Sequence, residues 1–221
     1  MSDRYILDED FVGAVVDGNN VYTRSGRWVF DGVGTETVTR AAPETDAPGI
    51  LNLSTGASSG DTCRLIYGDD LATGNLILAS QVEEFAIRFR VSNTGNVQVM
   101  AGLFDDDDPA SAAVARYVFL STDANINMFS ASSESGTDLI NSTIATSTTF
   151  RTFRARFNGA GNLAAYQILD ENGGVLARGI HSAEIVTATP VRLVVQVQAM
   201  SAALRTCQID RITLRSKEFT R

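Results

Sequence analysis

The stretch Glu84-Phe85-Ala86-Ile87-Arg88-Phe89-Arg90-Val91 sets apolar side chains at Phe85, Ile87, Phe89 and Val91, with Ala86, Arg88 and Arg90 between them. A period of two puts one set on each face of a pleated strand. The same period recurs in Phe153-Arg154-Ala155-Arg156-Phe157 and in Leu193-Val194-Val195-Gln196-Val197-Gln198. Turn-formers lie between such segments, at Gly95-Asn96, Asn158-Gly159 and Asn172-Gly173-Gly174. The pattern predicts an all-β chain, with Phe85, Ile87, Phe89, Val91, Phe153, Phe157, Val195 and Val197 buried between two antiparallel sheets. Arg88, Arg90, Arg154 and Arg156 then belong on an outer face or at an interface.

Working outward, strand-like runs are expected at 27–30, 49–53, 63–67, 75–79, 84–92, 96–104, 114–121, 125–131, 149–157, 162–170, 175–180, 190–200 and 205–215. The opening Leu7-Asp8-Glu9-Asp10-Phe11-Val12-Gly13 reads as an acidic lead into a turn, and 109–115 as loop. No fixed-period repeat is present, which disfavours propellers and solenoids. The 221 residues suit one β-sandwich domain spanning 1–221, with Ala41 to Pro48 a surface loop rather than a linker.

The formal net charge of −8 argues against a nucleic-acid partner, whose phosphates need a basic surface. Lys217 is the only lysine, so the positive charge is almost all arginine, much of it at polar strand positions. Arginine there pairs bidentately with carboxylates on a neighbouring strand or subunit. No run approaches the ~18–20 apolar residues of a membrane span. Met1-Ser2-Asp3-Arg4 lacks the basic flank and apolar stretch of a secretory signal, so the expectation is a chain made in a cytosol. Cys63 and Cys207 are accordingly expected as buried free thiols, a disulfide being the alternative.

Three places carry a resemblance. They are Asp8-Glu9-Asp10-Phe11, the pair of long strands from Glu84 to Phe104 ending Ala101-Gly102-Leu103-Phe104-Asp105, and the closing Gln208-Ile209-Asp210-Arg211-Ile212-Thr213-Leu214. Their end-to-end plan resembles concanavalin A-like jelly-roll β-sandwiches: lectin and glucanase domains, β-sandwich carbohydrate-binding modules and structural proteins of tailed-bacteriophage virions. The resemblance implies two large antiparallel sheets stacked ~10 Å apart.

No catalytic set is evident. Glucanases of this fold carry E-x-D-x-(x)-E on one strand, because retaining hydrolysis needs carboxyls ~5–5.5 Å apart. Here Glu83 and Glu84 are adjacent, Glu9 is assigned to a turn, and no such strand exists. Gly56-Ala57-Ser58-Ser59-Gly60 matches G-x-S-x-G, but that elbow requires a following helix and a strand is predicted next. His181, the sole histidine, has no second His or paired Cys to complete a zinc site or triad.

Two calcium candidates arise. Asp105, Asp106, Asp107 and Asp108 form the densest charge run, read first as a solvated acidic loop and second as a supply of some of the 6–8 oxygens that Ca²⁺ takes. The second rests on the resemblance: in several carbohydrate-binding modules a structural calcium joins an acidic N-terminal segment to an aspartate in the last strand, and Asp8, Asp10 and Asp210 stand there. The competing reading makes Asp210 a β-bulge, since the apolar face switches from Cys207 and Ile209 to Ile212 and Leu214. Trp28, Tyr67 and Tyr117 are candidates for a sugar platform, with Trp28 first a core residue.

The function expected from these features is a non-catalytic virion structural protein, in capsid decoration or a tail or fibre. It would assemble with copies of itself and other virion proteins, without nucleic acid or membrane. The alternative is a carbohydrate-binding, lectin-like domain whose partner is a cell-surface glycan. A diverged glycan-cleaving enzyme comes third.

Overall fold

A computed structural model describes residues 6–67, 77–78, 81–104, 116–123, 125–133, 136–158, 163–182 and 190–216, with side chains outside 6, 116–141, 163 and 181–182. Numbering strands in chain order, the eight-stranded sheet runs β16 (Val175–Ser182), β15 (Leu163–Leu169), β14 (Arg151–Phe157), β9 (Val82–Val91), β18 (Thr206–Ser216), β6 (Leu51–Ser54) and β5 (Thr37–Arg40), with β1 (Ile6–Glu9) also on β18. The ten-stranded sheet runs β13 (Gly136–Ala145), β12 (Asn125–Ser133), β11 (Arg116–Asp123), β10 (Val97–Phe104), β17 (Pro190–Ala199), β7 (Thr62–Tyr67), β4 (Gly26–Val33), β3 (Asn20–Thr23) and β2 (Val15–Asp17). The short β8 (Ile77–Leu78) lies beside β17. All the strand pairings are antiparallel. This is the two-sheet sandwich that the alternation predicts.

The inner faces meet in one apolar cluster containing Phe85, Ile87, Phe89, Val91, Phe153, Phe157, Val195 and Val197, all buried. Trp28 is completely buried and packs on Phe11 and Tyr67, with ring centroids 5.9 and 4.9 Å away. Trp28 and Tyr67 are therefore core, not a sugar platform. The side chain of Tyr117 lies outside the described residues.

β18 explains the architecture of the eight-stranded sheet. Its register slips between Ile209 and Arg211, so Asp210 is a bulge. Before the slip Cys207 and Ile209 face inward, and after it Ile212 and Leu214 do. On the side away from β9, residues 206–209 pair with β6 and residues 212–215 with β1. The bulge is where one neighbour hands over to the other.

The structure corrects several boundaries. The acidic opening is a strand as far as Glu9, which is buried at its end rather than lying in a turn. Its Oε1 accepts from the Phe11 amide at 2.9 Å, and Asp10 Oδ1 accepts from the Val12 amide at 3.0 Å. These bonds cap a tight turn in which Phe11 takes φ 55° and drops its ring beside Trp28. Strands β2, β3, β5 and β13 were not expected; each is short or rich in Thr, Ser and Asn, without an apolar period of two.

Candidate binding face

The outer face of the eight-stranded sheet collects the arginines that the alternation turns away from the core. Arg154 and Arg156 flank Ala155 on β14 and face Ala86 and Glu84 on β9. Glu84 is 4% exposed, and its Oε2 accepts from Arg154 Nη2 at 2.8 Å and Arg156 Nε at 2.6 Å. Burial alone would raise this carboxyl, but the two guanidinium bonds outweigh it and hold the group below the ordinary glutamate range. A carboxyl held ionised in this way is a poor proton donor.

Beyond β14 the outward row continues through Gln167 on β15 to Arg178 on β16, and the next row runs from Arg156 through Ala165 to Ile180. Ala165 is too small to fill its place. The result is a depression of about 480 Å³ lined by Arg154, Arg156, Ala165, Gln167, Arg178 and Ile180 among others. Gly179 and Tyr166 also line it. A Cβ at Gly179 would lie 2.6 Å from the Tyr166 ring, so glycine lets that ring cross β16 and close the edge of the core.

On the other side of Arg154 lies a second depression of about 330 Å³, with Glu84, Arg88, Arg211, Arg215 and Asp8 in its lining. Together the two hollows hold six arginines against two carboxylates. The first hollow, with Arg154, Arg156 and Arg178 and no carboxylate in its lining, is a locally positive spot on a chain of net charge −8.

At the far end of this face the guanidinium groups of Arg88 and Arg90 lie 4.5 and 4.4 Å from the ring centre of Phe150. Arg90 also pairs with Glu44, and Arg88 donates to the Asp46 carbonyl at 3.0 Å. These contacts pin the 41–50 loop over a small cluster of Ala47, Ile50 and Phe150. That part of the face is already covered by the chain itself.

Asp8, Asp10 and Asp210, proposed from resemblance as calcium ligands, do come together. Asp8 receives Arg211 Nε at 2.7 Å and Nη2 at 2.6 Å, Asp210 receives Arg88, and all three carboxylates act electrostatically on Arg211. Asp8 is held below its ordinary value, mainly by the Arg211 bond. Asp210 is raised, because burial outweighs the bond from Arg88. Arg211 and Arg88 thus bring positive charge to these carboxylates, and no metal-holding group of three or more His, Cys, Asp or Glu occurs among the described residues. If this set or Asp105 to Asp108 binds calcium, excess chelator should lower the melting temperature read by differential scanning calorimetry, and an unchanged melting curve would end both calcium proposals. Asp105, Asp106, Asp107 and Asp108 lie outside the described residues.

The remaining sequence candidates lie elsewhere. Gly56 to Gly60 is a turn leading into β7, with the Ser58 amide donating to Asp61 Oδ2 at 2.9 Å, so no nucleophile elbow forms. The backbone of His181 pairs with Ala164. Cys63 and Cys207 are buried free thiols on opposite sheets. Burial, helped by Glu36, pushes the Cys63 thiol up to about 12, and burial raises Cys207 as well.

The outer face of the ten-stranded sheet differs in character. Ile66, Met100, Phe104 and Val194 form a buried apolar cluster there. Arg64 pairs with Asp31 at 2.9 Å beside them.

No protein-family model matches this chain, and no curated protein matches it either. Solved structures do. Peanut lectin aligns over 100% of both chains with a TM-score of 0.67 at 11% identity. A protein of unknown function from Shewanella oneidensis MR-1 aligns over 99% of this chain and 88% of its own, with a TM-score of 0.66 at 12% identity. The catalytic domain of a laminarinase, an endo-1,3-beta-glucanase from Thermotoga petrophila RKU-1, aligns over 100% of both with a TM-score of 0.59 at 10% identity. At such identities the likeness establishes the fold: an all-β, concanavalin A-like jelly-roll sandwich.

Proposed function

We propose that this chain is a non-catalytic, carbohydrate-binding domain of lectin-like build, and that its ligand lies on the outer face of the eight-stranded sheet. The observation that carries the reading is the end-to-end likeness to a lectin in a chain whose open face is a hollowed sheet lined with hydrogen-bond donors. Sugars are recognised by convergent polar groups, and arginine with glutamine presents many donors on rigid strands. The carboxylates on this face support binding rather than hydrolysis. Glu84, Asp8 and Asp210 are each engaged by arginine, so none of these three is a free nucleophile. A glycan array probed with the intact chain tests the reading: reproducible binding to defined oligosaccharides is expected, and reducing-sugar release from those ligands would replace it with the enzymatic one.

A virion structural role with self-assembly is the second reading. Its support is the apolar exposure of β16, where Val175 is 54% and Ile180 70% exposed on the end strand of the sheet. The similar structures named above favour carbohydrate binding over it.

A further inference from the structure

We infer that the depression across β14, β15 and β16 takes an anionic glycan, through carboxylate or sulfate groups on its sugar rings. The inference rests on the carbohydrate-binding reading and deepens it by assigning the ligand's charge.

The three guanidinium groups in this hollow are not equivalent. Arg154 and Arg156 share Glu84, which fixes them in place while leaving most of their N–H groups uncommitted. Arg154 Nε is buried without a hydrogen-bond partner. Arg178 is exposed, and its guanidinium makes no hydrogen bond or ion pair among the described residues. Among the described residues one carboxylate, Glu84, thus serves two of the three guanidinium groups, and Arg178 in the hollow's lining is left unmatched.

Register sets the spacing. Arg154, Gln167 and Arg178 form one row across three strands. Two inter-strand steps separate the arginines, about 9.5 Å at the backbone. Gln167 between them offers a neutral donor and acceptor suited to a hydroxyl. The parallel row supplies Arg156, the small floor of Ala165 and the exposed Ile180, whose apolar surface suits the C–H face of a pyranose. Forked donors at both ends of a row, with a polar centre and an apolar rim, match a sugar that bears acidic groups. A neutral sugar would hydrogen-bond these groups but would bring no counter-charge to Arg178.

Long polyanions fit less well. The whole chain repels them at net charge −8, and three arginines neutralise few phosphates. The hollow favours an anion delivered on a short, hydroxylated scaffold.

The test measures calorimetric binding of uronate-, sialate- and sulfate-bearing oligosaccharides against their neutral counterparts, using the full chain, Arg178→Gln, Arg178→Lys and Arg178→Glu. Members of the anionic set should bind at least tenfold tighter than their neutral counterparts. Arg178→Gln should weaken them about tenfold with the melting temperature unchanged, and Arg178→Lys should recover part of the loss, because lysine keeps the charge without the fork. Preference for neutral sugars would overturn this inference and leave the carbohydrate reading standing. Binding to no sugar would remove both. Anionic binding that ignores Arg178 would refute the site. Equal affinity for charge-matched single-stranded DNA would refute the glycan assignment. A dimer seen by light scattering and dissociated by Arg178→Glu would give the hollow to a second copy and overturn it.

Discussion

Replacing Trp28 by alanine should destabilise the fold by about 3–5 kcal/mol, the usual cost of truncating a large buried aromatic. Trp28 is wholly buried on β4, and its ring joins Tyr67 from the adjacent strand to Phe11 from the turn after β1. Removing it empties the joint that holds the chain's opening segment against the ten-stranded sheet. Trp28→Phe should cost much less, because the indole Nε1 is buried without a hydrogen-bond partner and its loss strands no acceptor. Chemical denaturation of both variants measures the difference. Equal midpoints for Trp28→Ala and the parent would show that this cluster does not support the fold.

Replacing Glu84 by glutamine should have the second-largest effect, with a distinctive pH dependence. At neutral pH the substitution removes the shared anion between Arg154 and Arg156, at a cost of about 1–3 kcal/mol. The upper range for a fully buried pair does not apply, since Arg156 reaches solvent and can be hydrated. The folded-state pKa of Glu84 lies below its unfolded value, so its contribution is complete above about pH 4.3 and is lost as pH falls through the folded value. Asp8 has the same sign. Asp210, raised by burial, has the opposite sign: its protonation favours the folded state as pH falls. The gap between parent and Glu84→Gln should therefore narrow below about pH 4.3. A gap constant from pH 7 to pH 3 would mean that the glutamate's charge plays no part.

The core was legible because its signal is local. Phe85, Ile87 and Phe89 announce their own face, and the switch from Ile209 to Ile212 announces the Asp210 bulge. Thr37–Arg40 and Gly136–Ala145 gave no such signal, because their strand character comes from the ladders beside them rather than from their own apolar pattern. The binding face was legible only in part. Outward arginines on β9 and β14 follow from alternation, but the roles of Glu84 and Arg178 do not. Glu84 meets Arg154 and Arg156 from 70 and 72 residues away. Arg178 enters the same hollow through a register that only folded strands reveal. The acidic opening was legible only in part for a related reason. Asp8, Asp10 and Asp210 do converge, but the cations that meet them are Arg211 and Arg88, whose own positions in the sequence suggest only a polar strand face.

The most direct test of the central claim is amide chemical-shift mapping of the isotopically labelled chain during titration with an oligosaccharide that it binds. Shifts should concentrate at Arg154, Arg156, Ala165, Gln167, Arg178 and Ile180, on the outer face of the eight-stranded sheet. Shifts confined to the ten-stranded sheet, around Arg64, Met100 and Val194, would contradict the account.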